Sequence, residues 1–191
     1  MAEFINTIDV LGDDAVIDSI IDRTITEFKD DKLKKVGSYA FWKCTALTNA
    51  VLPSVNSIGP RAFWECTALT NVVLPSVTSI DNYAFSTCTA LKQVDISSKV
   101  AIGSYNCQVF ADCSVLTSLV LRDNTLSTVS NTSAFGNTPI AKGTGYIYVP
   151  RALVDTYKAA TNWSTYATQF RALEDYTVDG TTTGALDETK I

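Results

Sequence analysis

Three consecutive stretches of the chain repeat one order of apolar and polar positions: GSYAFWKCTALTNAVLPSVNSI (37–58), GPRAFWECTALTNVVLPSVTSI (59–80) and DNYAFSTCTALKQVDISSKVAI (81–102). The period is 22 residues. It brings Phe41, Phe63 and Phe85 into register, as it does Cys44, Cys66 and Cys88, then Leu47, Leu69 and Leu91, then Ile58, Ile80 and Ile102. A fourth copy follows after three extra residues and carries Phe110, Cys113, Leu116, Leu119 and Leu121. A fifth begins at Ala134 and Phe135, with Thr138 in the cysteine slot and Tyr146 to Pro150 where Val72 to Pro75 stood. Upstream, Ile25, Phe28, Leu33 and Val36 fill the Leu47, Ala50, Val55 and Ile58 slots as a degenerate copy.

A unit this short cannot bury its own apolar face, but stacked units bury one another's. The alternating end of Leu-x-x-Val-x-Leu predicts a short strand with Ala50/Leu52, Val72/Leu74, Val94/Ile96 and Leu119/Leu121 pointing inward. Neighbouring turns then sit about 4.8 Å apart, the spacing of parallel strands. A second extended piece is expected over Ser57-Ile58 to Ala62-Phe63 on the opposite wall, with little helix inside the repeats.

The ends of such a stack expose core and sheet edge and need covers. Asp13 and Asp14 stand where helix N-terminal acids belong, and Val16, Ile17, Ile20 and Ile21 follow at helical spacing, so a helix is expected over 13–24. At the other end Pro150 or Arg151 opens a helix with Leu153, Tyr157 and Ala160 on one face, and Phe170 and Leu173 add a second short element. The organisation read from the pattern is therefore an N-terminal cap with the degenerate copy (1–36), the repeats (37–150), a helical cap (151–175) and a mobile tail (176–191).

Composition adds limits. Hydrophobic residues make up 46% of the 191 residues, enough for a continuous core. No apolar run approaches the roughly 20 residues that cross a bilayer, so membrane insertion is not expected. The start, MAEFINTIDVLGDD, has no basic region followed by an apolar one, which reads as the lack of a classical secretory signal and points to cytoplasmic synthesis, with the final location open. The net charge of −5 is uneven. Residues 1–31 set nine acids against Arg23 and Lys29, residues 32–173 set twelve bases against six acids, and the last eighteen residues set five acids against Lys190. No basic cluster is dense enough to track phosphates, so a nucleic-acid partner is not expected.

Candidate chemistry is sparse. With no histidine, Ser-His-Asp and Cys-His catalysis and His-ligated metals are excluded. No glycine-rich phosphate loop occurs. The four repeat-equivalent cysteines read as an interior ladder of small apolar groups, with no C-x-x-C pair to start a zinc site. Cys107 falls in the three-residue insertion and reads as more exposed, with a disulfide to Cys113 as an open alternative. The acids of 9–31 lack the spacing of a calcium loop. No cofactor, metal or catalytic residue is assigned.

The same register predicts surface stripes. Trp42 and Trp64 share a slot on adjacent turns, beside Lys43 and Glu65, which would pair across the step. Tyr39, Arg61, Tyr83 and Tyr105 form another column, with the Arg61 guanidinium between two rings. Val51, Val73, Asp95, Val120 and Tyr148 face outward from the strands, flanked by Asn49, Asn71, Gln93 and Ser118. Aromatics beside polar groups suit a protein or carbohydrate ligand, while shielding of the flank is an equally available reading.

The order Ala-Phe-x-x-Cys-x-x-Leu-x-x-Val-x-Leu-Pro-x-Val-x-x-Ile, over about residues 25–150, resembles the BspA-like class of leucine-rich repeat, found in bacterial surface antigens and in prophage-encoded structural proteins. The stretch Tyr148-Val149-Pro150, Tyr157-Lys158-Ala159-Ala160 and Trp163 is similar to the helical C-terminal cap of that class. The resemblance implies a mainly β fold with α caps, a right-handed leucine-rich-repeat solenoid. It implies a non-catalytic recognition or adhesion module, plausibly carried by a phage or prophage particle. The alternative is a virion or tail structural component built into a larger assembly; an enzyme is the remote one.

Overall fold

A computed structural model of the chain describes residues 23–105 and 107–176. Among the described residues, two parallel sheets run along the stack. The larger has seven strands in the order β1 (Glu27–Lys29), β3 (Asn49–Val51), β5 (Asn71–Val73), β7 (Gln93–Ile96), β9 (Ser118–Leu121), β11 (Tyr146–Val149) and β12 (Phe170–Ala172). The smaller has five two-residue strands: β2 (Lys35–Val36), β4 (Ser57–Ile58), β6 (Ser79–Ile80), β8 (Ala101–Ile102) and β10 (Thr128–Val129). The register follows the sequence period. Phe28 pairs with Ala50 and Ala50 with Val72, while on the other wall Val36 pairs with Ile58 and Ile58 with Ile80.

Burial explains why such short strands persist. In β1, β3 and β5 only the central residue is buried, and in β2, β4 and β6 only the second. Each of these six strands therefore contributes one inward side chain to a file shared with its neighbours. Between the walls runs a file of phenylalanines, all fully buried. Phe41 and Phe63 stack at 4.7 Å, Phe63 and Phe85 at 5.1 Å, Phe85 and Phe110 at 5.7 Å, and Phe110 and Phe135 at 5.6 Å. These ring spacings follow the strand spacing of about 4.8 Å that the backbone bonds impose. Phe28 closes the near end edge-on to Phe41 at 4.8 Å.

The piece from Gly59 to Phe63 was expected to be extended; it is a pair of tight turns after a two-residue strand. Each of the four rungs from Tyr39 to Asp112 turns two corners with left-handed backbone at non-glycine residues, and the next rung turns one. The first holds Tyr39, Arg61, Tyr83 and Gln108, at φ of 58°, 56°, 59° and 28°. The second holds Lys43, Glu65, Thr87, Asp112 and Asn137, at φ of 57°, 61°, 62°, 62° and 63°. Such a conformation costs about 1–2 kcal/mol for an L-residue. It is offset because the corner amides reach the next rung: Tyr39 N donates to Pro60 O at 3.1 Å, Lys43 N to Trp64 O at 2.9 Å, and Arg61 N to Asn82 O at 2.9 Å.

After β11 the chain forms a short 3₁₀ turn (Arg151–Leu153), helix α1 (Val154–Ala159) and a further 3₁₀ segment (Trp163–Gln169) before β12. Tyr157 is buried, and Leu153 and Ala160 pack partly against the core. Phe170 lies in a strand hydrogen-bonded beside β11, which the sequence pattern did not show. Trp163 and Tyr166 meet the last ring of the file, Phe135, at 6.1 and 5.3 Å. Side chains from this region also satisfy backbone groups along the edge of the smaller sheet. Ser127 N donates to the Tyr157 hydroxyl and Trp163 Nε1 donates to Ser127 O, both at 2.8 Å, and Asn162 Nδ2 donates to Val129 O and Ser130 O at 2.9 Å. An unpaired strand edge is otherwise a template for aggregation. Residues 13–22 of the expected N-terminal helix and 177–191 of the expected tail lie outside the described residues; Arg23 and Thr24 form a turn.

Two outcomes follow from this packing. Phe63→Ala empties a slot between two stacked rings and is expected to cost about 3–5 kcal/mol in urea unfolding. The Tyr166 hydroxyl donates to Thr132 O, and burial, followed by the nearby Cys107 thiol, pushes its pKa from 10.0 up to about 12. A raised folded-state value means the neutral phenol stabilises the fold below pH 10, and this contribution is lost as pH rises from 10 through about 12. Thermal melts should therefore fall over that window, and Tyr166→Phe should flatten part of the fall.

Candidate functional site

The cysteine ladder is interior. Cys44, Cys66, Cys88 and Cys113 are fully buried thiols outside any disulfide. Cys66 Sγ donates to Phe41 O at 3.0 Å, Cys88 Sγ to Phe63 O at 3.1 Å and Cys113 Sγ to Phe85 O at 3.0 Å, so each thiol ties its rung to the previous one. Burial first, and neighbouring thiols second, raise the pKa values of Cys66 and Cys88 well above the ordinary thiol value. These are protonated structural groups, because the thiolate is the nucleophile and metal ligand.

Cys107 corrects the sequence expectation. It is buried rather than exposed, and it is a free thiol with no disulfide to Cys113. Its carbonyl accepts from Tyr83 N at 3.2 Å, as the carbonyl of Asn82 accepts from Arg61 N in the rung before. Cys107 thus occupies the Asn82 slot, and Ser104 and Tyr105 bulge out before it. Gly103 turns under it with φ of 76°, where a Cβ would collide with the Cys107 sulfur.

The same shift corrects Tyr105. The slot of Tyr39, Arg61 and Tyr83 is filled on the next rung by Gln108, which takes the same left-handed corner. Tyr105 sits in the bulge, 95% exposed and outside the column. The remainder of the column assembles. The Arg61 guanidinium lies 5.6 Å from the Tyr39 ring, 4.7 Å from Tyr83 and 5.8 Å from Trp64. Trp42 and Trp64, both half-buried, stack at 5.8 Å, and Tyr39 meets Trp42 edge-on at 5.8 Å. Lys43 and Arg23 approach the Trp42 ring at 4.9 and 5.4 Å, and Lys43 Nζ pairs with Glu65 at 3.7 Å. Among the described residues, Trp42 Nε1 is buried without a hydrogen-bond partner.

The outward face of the larger sheet carries one row through register: Lys29, Val51, Val73, Asp95, Val120, Tyr148 and Arg171. Asn71 Nδ2 donates to Asn49 Oδ1 at 2.9 Å in the flanking row, where Gln93 continues the register. Arg122 holds Asp95 through two bonds of 2.8 and 2.6 Å, which interrupts the apolar row. Tyr148 is not a surface residue. It and Val120 are buried, with Tyr146, Leu173 and Tyr176 packed on them, and Tyr176 meets Tyr148 edge-on at 4.9 Å. Ser118 is buried as well. The chain that leaves β12 returns across that end of the face, placing Leu173 and Tyr176 on Val120 and Tyr148.

A trough of about 600 Å³ follows the smaller sheet, lined by small residues such as Ser57, Gly59, Ser79 and Ala101. Among the described residues no group of His, Cys, Asp or Glu could hold a metal ion, and no helix is long and apolar enough to cross a membrane.

The profile of the BspA type leucine-rich-repeat region matches residues 24–147 in six copies. No curated protein matches the chain. Among solved structures, the chain is similar to a leucine-rich-repeat protein of T. pallidum, with TM-score 0.57 and 23% identity over 74% of this chain and 62% of that one. It is also similar to a leucine-rich cell surface protein of Faecalibacterium prausnitzii A2-165, with TM-score 0.50 and 19% identity over 91% of this chain and 45% of that one. At these identities the likeness is one of fold, and the chain spans less than two thirds of either protein.

The burial of the five cysteines has a direct test. The folded protein should give no fast reaction with a thiol-specific disulfide reagent, and all five should react after unfolding. Fast labelling of one thiol that Cys107→Ser abolishes would show that Cys107 is open after all.

Proposed function

Because the chain belongs to the BspA-type leucine-rich-repeat family, we propose that it is a non-catalytic recognition module whose contact surface is the aromatic and cationic flank of its first full rungs. The observation that carries this reading is the occupancy of the left-handed corners. Glycine relieves such a corner, and Asn or Asp tolerates it. Asp112 and Asn137 follow that rule on the later rungs, but the first full rungs set Tyr39, Arg61, Tyr83, Lys43 and Glu65 there. Backbone strain held under large amphipathic side chains marks a surface kept for something other than stability. Half-buried tryptophan, tyrosine and arginine are also the residue types that dominate protein interfaces.

The partner class we favour is protein. A sugar binds an aromatic side chain through an open ring face. Here Tyr39, Trp42, Trp64 and Tyr83 each have a ring or a cation against them already. Ring edges and N–H groups are what this flank offers.

Panning the immobilised chain against a random dodecapeptide display library tests the reading. Enriched peptides should bind the double variant Trp42→Ala/Trp64→Ala at least about tenfold more weakly, and bind Val51→Ser/Val73→Ser as they bind the parent. The opposite pattern would move the contact surface to the strand face and end this reading.

A further inference from the structure

We propose that Arg61 is a receptor for side-chain carboxylates of an acidic polypeptide. The inference rests on the flank being the contact surface and names the chemistry it takes. Tyr39, Arg61 and Tyr83 hold the same corner on three successive rungs, so the guanidinium is enclosed by a ring from the rung before and a ring from the rung after, at 5.6 and 4.7 Å. Two packed faces leave the edge, where the N–H donors are. Among the described residues that edge makes no hydrogen bond and no ion pair, and Arg61 itself is half-buried. A flat cation clamped in this way has already lost the rotamer freedom that binding would otherwise remove. Its N–H fork matches a planar two-oxygen acceptor, which a carboxylate supplies.

The surrounding charge agrees. Arg23 and Lys43 stand over the Trp42 ring on the same flank, and Glu65, one rung on from Lys43, is engaged by it at 3.7 Å. An anionic segment would meet Arg61 with further cations beside it, which speeds encounter and selects sign. Carboxylates also occur on acidic sugars. The peptide source is favoured because the rings on which a sugar would stack are already in use.

The test is anisotropy of fluorescein-labelled hexaglutamate titrated with the full chain at low ionic strength. Saturable binding is expected, with hexaglutamine at least about tenfold weaker. Arg61→Gln should weaken binding at least about tenfold, and Arg61→Lys, which keeps the charge and loses the fork, should recover only part of it. Thermal melts of the variants report their folding, and Arg61→Lys keeps the test open if Arg61→Gln is unfolded. Binding of folded Arg61→Gln within about twofold of the parent, or equal binding of hexaglutamine, overturns the proposal. Tighter Arg61-dependent binding of trigalacturonate than of hexaglutamate overturns the peptide assignment. If hexaglutamate does not bind while the library peptides still depend on Trp42 and Trp64, the carboxylate inference falls and the flank reading stands. If the library peptides are also insensitive to the flank, both fall.

Discussion

Parallel strands bonded in register leave each rung no freedom in its spacing from the next, and every other feature of this molecule answers to that constraint. Backbone bonding holds neighbouring rungs about 4.8 Å apart. Whatever one rung places in the interior must fit directly against what the next one places there. Identical side chains meet the condition most simply, so Phe41, Phe63 and Phe85 stack with interplanar angles of 2° and 3°. The thiols meet it in a second way, each reaching back to a phenylalanine carbonyl of the previous rung. A cysteine is suited to this place because it is small, apolar and still a weak donor.

The rungs that depart from the repeat show how strict the condition is. Ser104 and Tyr105 of the insertion after Ile102 are exposed, outside the interior, and the chain re-enters register at Cys107. In the fifth copy Thr138 replaces cysteine, and its hydroxyl bonds Phe135 O within its own rung at 2.6 Å rather than reaching back. Beyond it the file meets Trp163 and Tyr166 instead of another phenylalanine. The repeat is relaxed where there is no further rung to match.

The same spacing that builds the core also composes the outside. Side chains in equivalent outward slots are forced into columns, so a ring, a guanidinium and a second ring on three rungs become a sandwich without any local sequence motif. In a repeat array a recognition surface is thus written across the period rather than along the chain. That fits the proposed recognition role, in which contacts are set by which side chains fill a fixed lattice of outward positions.

Adjacency inside the array was legible in the sequence, because a fixed period converts a separation of 22 residues into direct contact. The phenylalanine file, the buried thiols, the Lys43–Glu65 pair and the placement of Arg61 between Tyr39 and Tyr83 all follow from that rule. The period carries no information where it is broken. It does not say on which side of Cys107 the inserted residues bulge, so Tyr105 and Cys107 were read into each other's surroundings, and the backbone bond from Tyr83 to Cys107 decides the matter. Nor does it register contacts with segments outside the repeats. Whether Tyr148 faces solvent depends on Leu173 and Tyr176 folding back over it, a contact between stretches that share no pattern. Local order set the interior and the columns, and only the closed tertiary structure determined which outward positions remained open.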